Sequence, residues 1–317
     1  MLAVFLAAVL GQLTPLALWD GGALGLDDLG VTADGRFLIP EAELGGVLLL
    51  SPDGGAIRLE PPGHGRRSIT SALLMKGRIG NGTAPAGELL IAADRRQREL
   101  IVVGEDRVVS LPLAASPDYV RAAGDQIWVT EPGQEQIEIL GLTTSPLTVR
   151  ALATIAVPGG PEALALDSEH GTAYTFSEKR GRLLRFDLAT RTETADWPLD
   201  CRGVPKGLAT AFSEGLAFVG CSGGVALSVS LRDGRPISRL AVGDGVDIIA
   251  FDPARRRLYV PAAKSANLTI ASVASDGSLK KLRSVPTVTR AHCVAAQQGM
   301  VLLCDPTHGR LLRLNDP

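Results

Sequence analysis

The chain has few large rings: 7 Phe, 3 Tyr and 3 Trp in 317 residues. Its core must therefore be assembled from Val, Leu, Ile and Ala. It has no apolar period of 3.6 residues lasting more than a few turns outside the N-terminus, which argues against a helical architecture. It has no excess of charge of one sign, with 32 Lys and Arg against 34 Asp and Glu. There is no basic stripe with interleaved aromatics, so nucleic acid is not expected as a partner. There is no apolar run long enough to span a bilayer; LAVFLAAVL at 2–10 is nine residues long. Linkers, charge blocks and low-complexity tails are also missing. What is abundant is turn chemistry, with 36 Gly and 20 Pro, as a fold of many short strands requires.

The stretch 246–285 shows how those turns are used. DIIAF runs into Asp252-Pro253, a turn signal. RLYVP stops at Pro261, and a polar turn at 264–267 leads into NLTIASV. Asp276-Gly277 then turns the chain into LKKLRSV. Four short antiparallel strands make one sheet, which cannot bury both of its faces alone and needs copies of itself. Anchoring on Tyr259 of the second strand finds them at Leu38, Leu90, Trp128, Tyr174, Phe218 and Leu302. Six intervals from position 38 to position 302 give a mean spacing of 44 residues. Seven four-stranded units at that period predict an all-β, seven-bladed propeller. PEALALD (161–167), RLLRFDLATR (182–191) and VDIIAFDPARRRLYVP (246–261) resemble the YVTN repeat of bacterial YncE-like propellers, relatives in shape of WD40-like repeat proteins. The resemblance covers nearly the whole chain. It implies a binding or scaffold protein and no particular reaction.

The last unit supplies three strands: 293–297, 300–305 and 310–315. The segment QLTPLALWD at 12–20 has the character of a fourth strand, so the N-terminal segment is expected to complete the C-terminal blade and close the ring. The run at 2–10 fits the apolar part of a secretory signal, with cleavage after Gly11, although no Lys or Arg precedes it. This reading gives a signal peptide at 1–11, a single propeller domain at 12–317, and a periplasmic or secreted monomer. An insertion at 76–87 lengthens the first hairpin of blade 2.

The four cysteines fall in two local pairs. Cys201 precedes the first strand of blade 5 and Cys221 ends its second; Cys293 and Cys304 hold similar places in blade 7. In a propeller the start of strand one and the end of strand two share a face. An even count and an export signal then suggest disulfides Cys201–Cys221 and Cys293–Cys304. The rival reading is a zinc or copper site, drawn from His292, Cys293, Cys304, Asp305 and His308, with His292, Cys304 and His308 as its core. Its spacing is not a standard one. Gly220-Cys221-Ser222-Gly223-Gly224 matches a nucleophile elbow, but a strand follows where a helix is needed. Gly80-Asn81-Gly82-Thr83 lacks the helix that would make it a phosphate loop. His64 and His170 read as surface loop residues.

The repeat itself supplies the strongest candidate site. At the start of each innermost strand stand Asp118, Glu162, Lys206, Asp247 and His292 in blades 3 to 7. Asp27-Asp28 is nearby in blade 1, and blade 2 is ambiguous around Arg67-Ser68. These residues should ring one channel mouth, where a small molecule or a protein partner would bind. The alternative is a lactonase-like, metal-dependent hydrolase whose channel carboxylates hold a divalent cation. The presence of Lys206 and His292, with no Asn, counts against it. A third reading is a redox partner with a metal on the blade 7 cluster.

Overall fold

The computed structural model describes residues 12–16, 25–61, 66–76, 87–105 and 107–316. The segment 1–11 expected to be a signal, His64 and the glycine-rich 80–83 stretch lie outside them. Seven four-stranded antiparallel sheets account for the chain. Blade 1 is Gly30–Val31, Phe37–Glu41, Gly46–Leu50 and Ala56–Leu59; blade 2 is Ile69–Lys76, Glu88–Asp94, Glu99–Val103 and Val108–Pro112. Blade 3 is Val120–Ala123, Gln126–Glu131, Gln136–Thr144 and Leu147–Ala156; blade 4 is Pro161–Asp167, Thr172–Ser177, Arg182–Asp187 and Glu193–Pro198. Blade 5 is Pro205–Ala211, Leu216–Cys221, Val225–Ser230 and Pro236–Ala241; blade 6 is Ala250–Asp252, Arg257–Ala262, Asn267–Val273 and Leu279–Pro286. Blade 7 is Val294–Gln297, Met300–Asp305 and Arg310–Asn315, completed on its outer edge by Thr14–Leu16. Innermost strands of successive blades touch from blade 2 round to blade 7 and on to blade 1, and the inner strand of blade 2 packs on the second strand of blade 1. The ring is thus a seven-bladed β-propeller, closed by its N-terminal strand. That strand is shorter than 12–20: three residues pair, Thr14 with Arg313 through Leu16 with Leu311, and 17–20 lie outside the described residues.

The repeat anchors are one structural position. Leu38, Leu90, Trp128, Tyr174, Phe218, Tyr259 and Leu302 are all buried. Each faces the innermost strand, opposite Gly30, Leu74, Arg121, Ala165, Ala209, Ala250 and Ala295 respectively. Small partners dominate because the inner strands crowd towards the axis. The core is therefore a set of seams between neighbouring blades. Leu38, Val47 and Leu49 meet Ile69, Leu90 and Ile101; Tyr259 and Ile270 meet Val294, Val301 and Leu303. Each such aliphatic side chain contributes about 1.5–3 kcal/mol by leaving water. With few rings available, stability comes from many seams of this kind.

Buried carboxylates lock four of the blades. Glu41, Asp94, Glu131 and Asp305 each end a second strand and are fully buried. Asp94 accepts backbone N–H bonds from Ser68, Arg96 and Gln97, and pairs with Arg67. Glu131 accepts from the backbone of Ala115. Asp305 accepts from the backbone of His308 and from Arg310 Nε. Bonds of this charge-assisted kind justify burying the charge. In blade 5 the same place is Cys221, whose disulfide to Cys201 (Cα–Cα 5.4 Å) ties the blade to its preceding connection by covalent means.

One local expectation changes, and the turn expected at 220–224 is found. DIIAF is not one strand: Val246 makes an isolated bridge to Ala262, and the blade 6 inner strand starts only at Ala250. Between them Ile248 N–H turns to the carbonyl of His292 in blade 7. The Gly220–Gly224 run is a hairpin turn between two strands, with Gly224 at φ +84°, a conformation suited to glycine. No helix among the described residues is long and apolar enough to cross a membrane.

Candidate functional site

The start of an innermost strand is fixed by pairing with the end of the second. Pro161 pairs with Ser177, Pro205 with Cys221, and Asp118 N–H with the Thr130 carbonyl. The residue that follows or holds that pairing is the candidate ring position. The residues read from the sequence lie within electrostatic reach of one another. Asp27 is influenced by Asp118, Arg95 and His292; Asp118 by Asp247 and Lys206; Glu162 by Lys206, Asp118 and Asp247; Asp247 by His292 and Lys206. Asp27 is the blade 1 member. In blade 2 the matching place is Thr70, since Ile69 pairs with Asp94 as Pro161 does with Ser177. Arg67 and Ser68 are not members. Arg67 pairs with Asp94 and Glu99, and Ser68 N–H donates to Asp94.

Two further members come from the residue just beyond the second strand: Arg95 in blade 2 and Glu178 in blade 4. Lys206 Nζ lies 2.6 Å from Glu178 Oε1 and 3.4 Å from Glu162 Oε2. Arg95 bridges Asp27 (3.2 Å) and Asp118. Sequence reasoning anchored on first strands missed both; the signal was the charged residue one step past each second strand. The mouth thus joins Asp27, Asp118, Glu162, Glu178 and Asp247 with Arg95, Lys206 and His292. Burial raises the carboxyls. Asp27 is pushed up to about 6 by burial and by Asp118, against Arg95 and His292. Glu162 is pushed up to about 8 by burial, with Lys206 offsetting only part. Asp118 and Asp247 are also raised by burial. Burial works against the Lys206 ammonium, but Glu162, Glu178 and Asp247 together hold its pKa above the ordinary range.

Below the mouth, Arg121 in blade 3 reaches across blade 2 to Asp28 in blade 1. Ser71 Oγ donates to the same carboxylate at 2.5 Å. Tyr119 beside them has its hydroxyl pKa raised by burial and by Glu162. Beyond this belt the channel holds a cavity of about 280 Å³, lined by groups including Arg121, Leu164, Ile249, Phe251 and Gln297.

Both cysteine pairs are disulfides, Cys293–Cys304 with a Cα–Cα distance of 5.5 Å. The donor set His292, Cys304 and His308 is not brought together. His308 Nδ1 sits 2.8 Å from Asp305, which holds it at the outer hairpin turn. What does gather is His292, Cys293 and Cys304, with ligand atoms within 4.8 Å of one another. Among the described residues it is the one set of three donors that close. Among the described residues, no three of the mouth carboxylates bring their oxygens within 4.8 Å of one another. His170 pairs with Asp167 at a half-exposed turn on the outer surface.

Fold and channel together define a seven-bladed propeller with a cluster of acidic and basic side chains at the start of its inner strands. No protein-family model matches the chain, and the YncE-like resemblance stays one of repeat pattern. Similar solved structures include a chain of the mitotic checkpoint complex, with a TM-score of 0.75 at 12% identity over 98% of this chain and 94% of that one. Virginiamycin B lyase from Staphylococcus aureus, crystallised in a catalytically inactive form with quinupristin, gives 0.70 at 12%, over 95% and 97%. The RRP9 WD40 repeats give 0.70 at 12%, over 96% and 99%. At that identity the likeness is one of fold.

Proposed function

We propose that this is an exported binding propeller whose channel mouth accepts a ligand carrying an ammonium or guanidinium group. The observation that carries the reading is the charge balance of the mouth. Five carboxylates gather around two fixed cations, and burial, with the neighbouring carboxylates Asp118 and Asp247, pushes Glu162 up to about 8 against the pull of Lys206. A ligand cation beside Glu162 and Asp247 would ionise those carboxyls and replace the water they lose on burial. Export is supported by the two disulfides, which persist in oxidising compartments. The fold is shared by a lyase and by WD40 proteins, so it does not decide between binding and catalysis. The hydrolase reading needs carboxylates gathered on one metal ion, and these are spread around a ring.

Calorimetric titration with spermidine and with arginine methyl ester, against glutarate as an anionic control, tests the reading. Binding of either cation near neutral pH should release protons, seen as a dependence of the heat on buffer ionisation enthalpy. Glu162→Gln should weaken binding about tenfold and remove most of the proton release. No binding by either cation, or binding indifferent to Glu162→Gln, would overturn it.

A further inference from the structure

The start of blade 7 carries an arrangement that the mouth reading does not use. Cys304 Sγ accepts two backbone N–H contacts, from Cys293 at 3.0 Å and from His292 at 3.4 Å. His292 Nδ1 lies 3.7 Å from the same sulfur and donates to the Arg290 carbonyl at 2.8 Å, a bond it would give up on taking a metal. Donors aimed at a sulfur stabilise it as thiolate, the form that binds metal. The imidazole is half-buried at the channel mouth, while both sulfurs are fully buried. Two sulfurs and one imidazole nitrogen within 4.8 Å make a soft donor set, preferred by zinc(II) and copper(I) over calcium or magnesium. The other pair, Cys201 and Cys221, has no third donor within reach among the described residues.

We propose that reduced blade 7 is a binding site for one thiophilic cation of the zinc(II) or copper(I) class, held by Cys293, Cys304 and His292. Metal and disulfide exclude each other, because both use the same two sulfurs. A dithiol reductant gives two electrons and two protons to the Cys293–Cys304 bond and itself becomes a disulfide. The cation then displaces the thiol protons and takes the imidazole as third ligand, with water from the mouth completing a zinc shell. His292 also belongs to the mouth ring, so loading would tie one member of that ring to the metal.

The test uses the full chain with Cys201→Ser and Cys221→Ser, leaving one cysteine pair. After reduction by dithiothreitol and its removal without air, the protein competes for zinc with a chromophoric chelator and for copper(I) with bicinchoninate. One equivalent of at least one metal should bind the reduced protein and none the oxidised. His292→Ala keeps both cysteines and the disulfide, so it controls for folding. It should weaken metal binding at least tenfold, while Cys304→Ser should abolish it. Equal competition by reduced and oxidised protein would overturn the proposal. So would full affinity in His292→Ala, or a disulfide that dithiothreitol leaves intact in the native protein.

Discussion

Arg121 holds Asp28 through both carboxylate oxygens, Nη1 to Oδ2 at 2.7 Å and Nη2 to Oδ1 at 2.9 Å, across the whole width of blade 2. Every other blade but one has Gly or Ala where Arg121 stands, opposite the repeat anchor. With Ser71, the ion pair ties the inner strands of blades 2 and 3 to the segment that leads into blade 1. Removing one partner should leave a buried charge uncompensated. Arg121→Met or Asp28→Asn is expected to cost about 3 kcal/mol, and the double variant less than the sum. Urea unfolding of the four proteins checks this.

The stability of the fold should fall as the solution turns alkaline. Glu162, with its carboxyl raised from 4.5 to about 8 by burial, binds a proton on folding throughout that interval. Asp27 does so between 3.8 and about 6. An acid raised in the folded state contributes its stability in full below its ordinary pKa and loses it as pH climbs through the folded value. Unfolding free energy should therefore decline between about pH 5 and about pH 8.5, and Glu162→Gln should flatten the upper half of that decline. Denaturant midpoints across the range decide it; a wild-type curve that rises there would contradict a protonated Glu162.

Closing loops of 20 and 11 residues, the two disulfides should each add about 3 kcal/mol on the chain-entropy account. Thiol titration of denatured, unreduced protein should find none of the four cysteines reactive. Replacing either pair by serine should lower the melting temperature measurably, and the two losses should add, since the pairs lie in different blades.

Gly207 is confined by its neighbours. A Cβ there would come within 2.2 Å of the Asp247 carbonyl and 3.0 Å of Ile249. Gly207→Ala should force the inner strand of blade 5 away from the 247–249 segment that leads into blade 6, costing about 1–3 kcal/mol. It should also displace Asp247 and weaken binding at the mouth. Melting curves and cation titration of that variant read the two effects separately.

Much of this architecture was legible because each blade repeats one register. Tyr259 and its counterparts are bulky residues facing a narrow inner strand, and that position recurs at a spacing a reader can count. The ring from Asp118 to His292 was legible for the same reason. Arg95 and Glu178 were not, because they come from the far end of a different strand and converge only through folding. Thr70 was missed because it is uncharged and lies further from its anchor Leu90 than its counterparts do, behind the insertion at 76–87. Asp28, Ser71 and Arg121 lie 43 to 93 residues apart, and no local pattern announces their contact. Blade 6 reads as a continuous strand at DIIAF, yet a neighbouring carbonyl in blade 7 captures the Ile248 amide.

Thr14 donates its hydroxyl to the Arg313 carbonyl, a partner 299 positions later in the chain. During synthesis the edge of blade 7 cannot be covered until both partner strands have emerged, so closure is a late event that waits on the whole ring. Until then Thr14–Leu16 has no sheet to join, and blades 1 to 6 have nothing holding the circle shut. Contacts so distant in sequence form slowly and leave open strand edges exposed to other chains. The step that protects the finished molecule thus also sets the interval in which it is most open to self-association.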